Sequence, residues 1–168
     1  MATTGDDTGN DCSQNATPCL TVQHAVGQAA PGNTVYVAAG TYAELVSVDK
    51  DLSFSGANAG TAGNGVRGAE SAVKGFRNPG NPGTTSMDVS IDGFSIDPQG
   101  DAALLAATAQ PLVWLRGGDT DVVNNVFNGG TFAPACSFSC TTMTDYAFTV
   151  QTGSVDFTDN LVTNFRRP

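Results

Sequence analysis

Four short segments of this 168-residue chain share one pattern at near-constant spacing: Leu52-Ser53-Phe54, Met87-Asp88-Val89, Thr120-Asp121-Val122 and Val155-Asp156-Phe157. Their starts step by 35, 33 and 35 residues. An interval of this size marks a chain built by stacking one supersecondary unit on the next, and it predicts a solenoid. In the last three copies Asp92, Asn125 and Asn160 follow at a fixed distance, and Phe94, Phe127 and Val162 come two residues later. Alternation of apolar and polar residues is the period of a strand. An Asp or Asn at one constant point after it marks a turn that tolerates left-handed backbone or takes side-chain hydrogen bonds to the main chain. Asp92, Asn125 and Asn160 are therefore expected to stack as a structural ladder. Thr120 is the imperfect apolar position, and the first copy departs by carrying Ala57 at the turn.

Composition supports strands over helices. Glycine reaches 20 residues while charged residues are only 14%, too few to coat helical faces with Glu, Lys and Arg. Sixteen acids against seven bases give a net charge of −9, which repels a phosphate backbone and argues against nucleic acid as a partner. No run approaches the roughly 18 apolar residues of a membrane-spanning helix, so no membrane span is expected. No signal-peptide pattern opens the chain, and the Met1-Ala2 start is taken to stand where a signal peptide has been removed. The four cysteines fall into two local pairs, Cys12 with Cys19 and Cys136 with Cys140. Proximity favours those two disulfides among the three connectivities. A zinc site competes poorly, since the spacings and the single His24 do not supply converging ligands. Disulfides imply an oxidising compartment, secreted or at a cell surface.

Along the chain, residues 1–20 form an arm and disulfide loop. Residues 21–33 form a capping helix and turn: Val22, Ala25, Val26 and Ala29 lie on one helical face, Thr21 is the N-cap, and Pro31-Gly32-Asn33 ends the helix. Residues 34–168 hold β coils with inserted loops. Thr34 to Val37, Leu45 to Val48 and Leu52 to Phe54 read as short strands around the turn Gly40 to Glu44, fitting one coil of a parallel β-helix. Ala57–Gly68 and Asn78–Thr85 read as loops within the second coil, and Ala102–Ala109 as a helical turn.

The segments Pro18 to Val26, Ala30 to Val37, Ala39 to Glu44 and Val48 to Leu52 resemble the entry of right-handed parallel β-helix proteins, the pectate-lyase-like superfamily. The likeness is close over about residues 18 to 56 and only generic over 87 to 165. It implies an all-β fold, a right-handed parallel β-helix of about four coils with the N-terminal helix laid across the open first coil. It also implies a secreted bacterial surface protein, of which this is the N-terminal part. Fold likeness does not bring activity with it.

The chemistry the family offers is tested residue by residue. Gly153-Ser154-Val155-Asp156-Phe157 is similar to the pectin methylesterase segment with the nucleophilic Asp. Asp156 nevertheless lacks matches to the Gln-Asp-Thr and Arg-Pro-Trp segments that would supply its acid and its arginine. Lyase chemistry wants carboxylates on Ca²⁺ beside a base, a role open to Asp119, Asp121 and Arg116. His24, in the capping helix, is not placed for hydrolysis. No catalytic residue is assigned. The run containing Asp6, Asp7 and Asp11 has the oxygen density of a Ca²⁺ loop without the EF-hand spacing, so Ca²⁺ is the one candidate cofactor. Trp114 alternates out of phase with Val113 and Leu115; facing outwards it would be a sugar-stacking platform, unless a loop such as Phe132 to Phe138 covers it.

The expectation is a non-catalytic secreted or cell-surface structural or adhesive module. The chain stops after a repeat strand at Phe165 to Pro168, so its open end is expected to meet a longer chain or another subunit, end to end. The alternatives are the N-terminal portion of a polysaccharide-active enzyme and a carbohydrate-binding β-helix, which makes polysaccharide a candidate partner.

Overall fold

A computed structural model of the chain describes residues 1–78, 87–105, 111–130, 147–151 and 153–165. Helix α1 spans Val22–Gln28, and strands β1 (Asn33–Tyr36), β2 (Gly40–Ser47), β3 (Leu52–Ser55), β4 (Ser71–Arg77), β5 (Val89–Asp92) and β6 (Phe94–Ile96) follow. Helix α2 covers Ala102–Leu105. Then come β7 (Val113–Arg116), β8 (Asp119–Val123), β9 (Val126–Asn128), β10 (Phe148–Gln151), β11 (Ser154–Thr158) and β12 (Leu161–Thr163).

Among the described residues every pairing is parallel. One sheet runs β1-β3-β5-β8-β11, and the other runs β10-β7-β4-β6-β9-β12 with β2 also on β4. The sheets curl into a half-barrel that, with the two helices, is an α/β-type arrangement. This corrects the expected all-β class and right-handed β-helix of about four coils. The second sheet does not stack one strand per repeat in chain order. It branches at β4, which takes β2 along one edge and β6 and β7 at opposite ends of the other. That strand lies in a stretch expected to be interrupted by loops. Gly75 breaks its alternation, and an added Cβ there would meet the carbonyl of Leu112, so the close passage of the next segment requires glycine.

The repeat segments do lie side by side, in a register the sequence spacing misplaces. Leu52 pairs with Val89, Val89 with Thr120 and Thr120 with Val155. The true steps are thus 37, 31 and 35 residues, and Val89, not Met87, is the equivalent of Leu52. Inward positions of the first sheet, Leu52, Phe54, Val89, Ile91 and Val122, are at most 3% exposed. Phe76 lies between Phe54 and Phe94, with ring centroids 4.9 and 5.4 Å apart, and bridges the two sheets through the core.

The helix foreseen at 21–30 is α1, which buries Val22, Ala25 and Val26 against β1 and β2. A seven-residue helix is marginal alone, and this one is held at both ends. Thr21 Oγ1 accepts from His24 N at its start, while the Glu44 carboxylate accepts from Val22 N at 3.0 Å and Gln23 N at 2.8 Å. At the other end Lys50 Nζ donates to the carbonyls of Val26 and Ala29.

Candidate functional site

The turn joining the two sheets separates two jobs that the sequence pattern merges. The left-handed backbone falls on Gly93, Asn124 and Asp159, with φ of 81°, 57° and 54°. The side-chain bonding falls one residue later. Fully buried Asn125 accepts from Phe94 N through Oδ1 at 2.9 Å and donates through Nδ2 to the Ile91 carbonyl at 2.9 Å. Asn160 Oδ1 in turn accepts from Asn125 N, and its Nδ2 donates to the Val122 carbonyl. Asn125 and Asn160 are therefore successive rungs. Asp92 is not on that ladder: it pairs with Val123 in the sheet, and its Oδ1 accepts from Asn124 Nδ2 and Gly60 N. The displaced register explains this, because Phe94 occupies the rung where the pattern puts Asp92.

The N-terminal acids serve the arm. Asp7 accepts from Leu20 N, Thr21 N and Thr21 Oγ1, Asp6 from Thr8 N, and Asp11 from Ser13 N and Oγ. Burial pushes the Asp7 carboxyl up, but hydrogen bonds from Thr21 and Leu20 and the nearby His24 bring it below the usual carboxylate range. The three carboxylates do not converge into an oxygen cage for Ca²⁺. Among the described residues the one group of potential metal ligands is Cys12, Cys19 and His24. Cys12 and Cys19 form a disulfide and so offer no thiolate, while His24 Nε2 lies 2.7 Å from the Asn10 carbonyl oxygen. Cys136 and Cys140, like Phe132 to Phe138, lie outside the described residues.

Of the groups considered for catalysis, Asp119, Asp121 and Asp156 share the outer face of the first sheet and Arg116 does not. Asp156 is exposed on β11 beside Asp121 on β8. Asp119, also on β8, accepts from Ser154 Oγ. Arg116 belongs to the other sheet, across the turn at Gly117 and Gly118, both left-handed.

Trp114 and Arg116 meet instead on the outer face of β7, since Val113 and Leu115 point inward at 0% and 1% exposure. One rung of that face reads Ser47, Arg77, Trp114 and Thr149 across β2, β4, β7 and β10. The Arg116 guanidinium carbon lies 4.5 Å from the centroid of the Trp114 ring, a cation–π contact. A ring face left open for sugar stacking is thus partly taken by Arg116. Leu45, Ser47, Arg77, Asn78, Trp114 and Arg116 line a cavity of about 240 Å³. Asn78 is fixed there by donation from Nδ2 to the Arg116 carbonyl and from its backbone N to the Trp114 carbonyl. Arg77 reaches the Pro111 carbonyl through Nη2, and burial lowers its pKa, partly opposed by Asp101.

Two donors in this pocket, Arg77 Nε and Trp114 Nε1, are buried without an acceptor among the described residues. Each such donor costs about 1–3 kcal/mol unless an acceptor arrives. A larger cleft of about 750 Å³ along β1, between α1 and the arm, has only Asp11 and the Met1 amine as ionised groups. The smaller pocket therefore has the chemistry of a site. Sequence reasoning singled out Trp114 and missed Arg77, whose place beside Trp114 comes from the pairing of β4 with β7. It also missed Arg67, whose guanidinium pairs with Glu70 at 2.7 Å and donates to the carbonyls of Thr61, Asn124 and Phe94, fastening the 57–70 segment to the sheets.

Comparison of the chain with protein-family models, with curated proteins and with solved structures returned no match. No helix among the described residues is long and apolar enough to cross a membrane. The Cys12–Cys19 disulfide fits an extracellular protein.

Proposed function

We propose that this chain is a non-catalytic adhesive module, secreted or displayed at a cell surface, that holds a carbohydrate in the pocket of Arg77, Trp114 and Arg116. The observation that carries this reading is the pocket itself, where the Trp114 indole stands on one sheet rung with Arg77, and Arg77 Nε and Trp114 Nε1 lack acceptors among the described residues. Sugars present dense acceptor oxygens and apolar ring faces to such a surface. The rival reading, part of a polysaccharide-active enzyme, needs an acid and a base flanking one bond, and the candidate carboxylates sit on the other sheet.

For self-association, exposed apolar side chains stand at both edges of the first sheet, with Tyr36 on β1 70% exposed. Val155, Phe157 and Val162 are 47%, 37% and 46% exposed on β11 and β12, whereas α1 packs over β1 and β2 at the opposite edge. The direct test of the main reading is affinity electrophoresis through gels containing soluble polysaccharides, neutral and charged, with wild type beside Trp114→Ala. Retardation by at least one polysaccharide that Trp114→Ala loses supports the reading; equal migration of wild type in every gel refutes it.

A further inference from the structure

We infer that the N-terminal loop, once its disulfide is reduced, binds Zn²⁺ through Cys12, Cys19 and His24, so that the bridge and the metal are alternative occupants of one place. The two sulfurs and an imidazole nitrogen lie within 4.8 Å of one another, a convergence that the cysteine spacing and the single histidine do not announce. Asn10 holds all three residues. Its carbonyl oxygen lies 2.7 Å from His24 Nε2 and 3.9 Å from Cys19 Sγ, and its Oδ1 accepts from Cys12 N at 2.9 Å. The loop is also pinned by bonds that do not involve the bridge. Asn10 Nδ2 donates to the carbonyls of Asp6 and Thr17, and Asp7 accepts from Leu20 N and Thr21 N. These contacts keep the ligands together after the S–S bond is broken.

The donor set selects the ion. Thiolate and imidazole suit Zn²⁺, whereas Ca²⁺ and Mg²⁺ take oxygen ligands. Tetrahedral Zn²⁺ bonds sulfur at about 2.3 Å and nitrogen at about 2.0–2.1 Å, which sets these ligand atoms about 3.5–3.8 Å apart. Starting inside 4.8 Å, they reach that spacing by small side-chain rotations. In the first step a dithiol gives two electrons and two protons to the bridge, leaving two thiols and its own cyclic disulfide. Zn²⁺ then binds both sulfurs as thiolates and releases their two protons. Two thiolates cancel the charge of the ion, which lets fully buried Cys19 hold it. Cys12 lines the 750 Å³ cleft along β1, which gives the ion an entry path and a water the fourth position. The bridge is the form for an oxidising compartment, and the metal is the form for the chain before oxidation.

The test uses the full chain, reduced with dithiothreitol, desalted without oxygen and titrated with Co²⁺ as a visible substitute for Zn²⁺. Wild type, Cys12→Ser, His24→Asn and the double variant Cys136→Ser/Cys140→Ser are compared, each checked for its fold by circular dichroism. Reduced wild type should develop thiolate-to-cobalt charge-transfer and tetrahedral d–d absorption that Zn²⁺ abolishes, and the unreduced chain should develop neither. The Cys136→Ser/Cys140→Ser chain should keep the signal at one ion per chain. Cys12→Ser should lose it, and His24→Asn should weaken binding at least as much as loss of a second-shell partner does, about 10–100-fold. On wild type alone, Zn²⁺ should slow the alkylation of Cys12 and Cys19 by iodoacetamide, read peptide by peptide by mass spectrometry. This arm decides the matter even if a variant fails to fold. Absence of the cobalt signal in the reduced chain, a signal that survives both Cys12→Ser and His24→Asn, equal binding by the unreduced chain, or alkylation of Cys12 and Cys19 that Zn²⁺ does not slow each overturns the inference.

Discussion

Replacing Asn125 with Leu removes the central rung of the inter-sheet ladder while keeping side-chain volume close to that of the native residue. Asn125 is 0% exposed, and its side chain serves two main-chain groups, accepting from Phe94 N and donating to the Ile91 carbonyl, both at 2.9 Å. A leucine leaves that N–H and that carbonyl buried without partners. Each orphaned group costs about 1–3 kcal/mol, so the expected loss is about 2–6 kcal/mol. The apolar gain from a buried leucine offsets about 1–2 kcal/mol of this, giving a net loss near 3 kcal/mol. For a chain of this size that lowers the thermal midpoint by about 6–12 °C. Circular dichroism melts with Thr158→Ala, at an exposed position of β11, as the control would measure it. A midpoint for Asn125→Leu within 1 °C of the control would refute the account of Asn125 as the bond between sheets.

Three further outcomes follow from named contacts. Thr120 is 1% exposed with its Oγ1 unpartnered among the described residues, so Thr120→Val should stabilise by about 1 kcal/mol in urea denaturation, and destabilisation would show that the hydroxyl is satisfied. The Cys12–Cys19 bridge closes a loop with a sequence separation of 7, and reduction with dithiothreitol should cost about 2.5 kcal/mol on the chain-entropy model, read as a shift in urea midpoint. Lys74 Nζ donates to Asp101 Oδ2 at 2.9 Å, and this bond, with those from the α2 backbone, holds the Asp101 carboxyl below its ordinary value. A depressed folded pKa adds stability above the unfolded carboxylate range that is lost as pH falls through the folded value. The gap between wild type and Asp101→Asn should therefore be present at pH 7 and close on acidification; a gap that widens in acid would refute the pairing.

The legible parts of this fold were those written locally. The Val22, Ala25, Val26 stripe and its Thr21 cap predicted α1 within two residues of its observed ends, and the alternation about Trp114 placed it outward. The architecture was not legible. Its decisive strand, β4, contains Gly75, whose missing side chain is required by a neighbour distant in sequence. Equal spacing also misled: insertions of different length made a two-residue error in one repeat look like regularity, and Asp92 was assigned a rung that belongs to Phe94. Trp114 was visible as an outward aromatic, but Arg77 enters the site only through strand pairing, which no local pattern encodes.

The clamps on α1 also set an order of events. Glu44 lies 21 and 22 residues beyond the amides it caps, and Lys50 lies 21 and 24 beyond the carbonyls it caps. A helix this short gains little from its own residues, so it cannot persist until β2 and the residue-50 turn are present to close on it. Before Glu44 and Lys50 are in place, residues 22–28 have no partner for the amides and carbonyls that these two side chains cap. The helix and β2 therefore form together rather than the helix first.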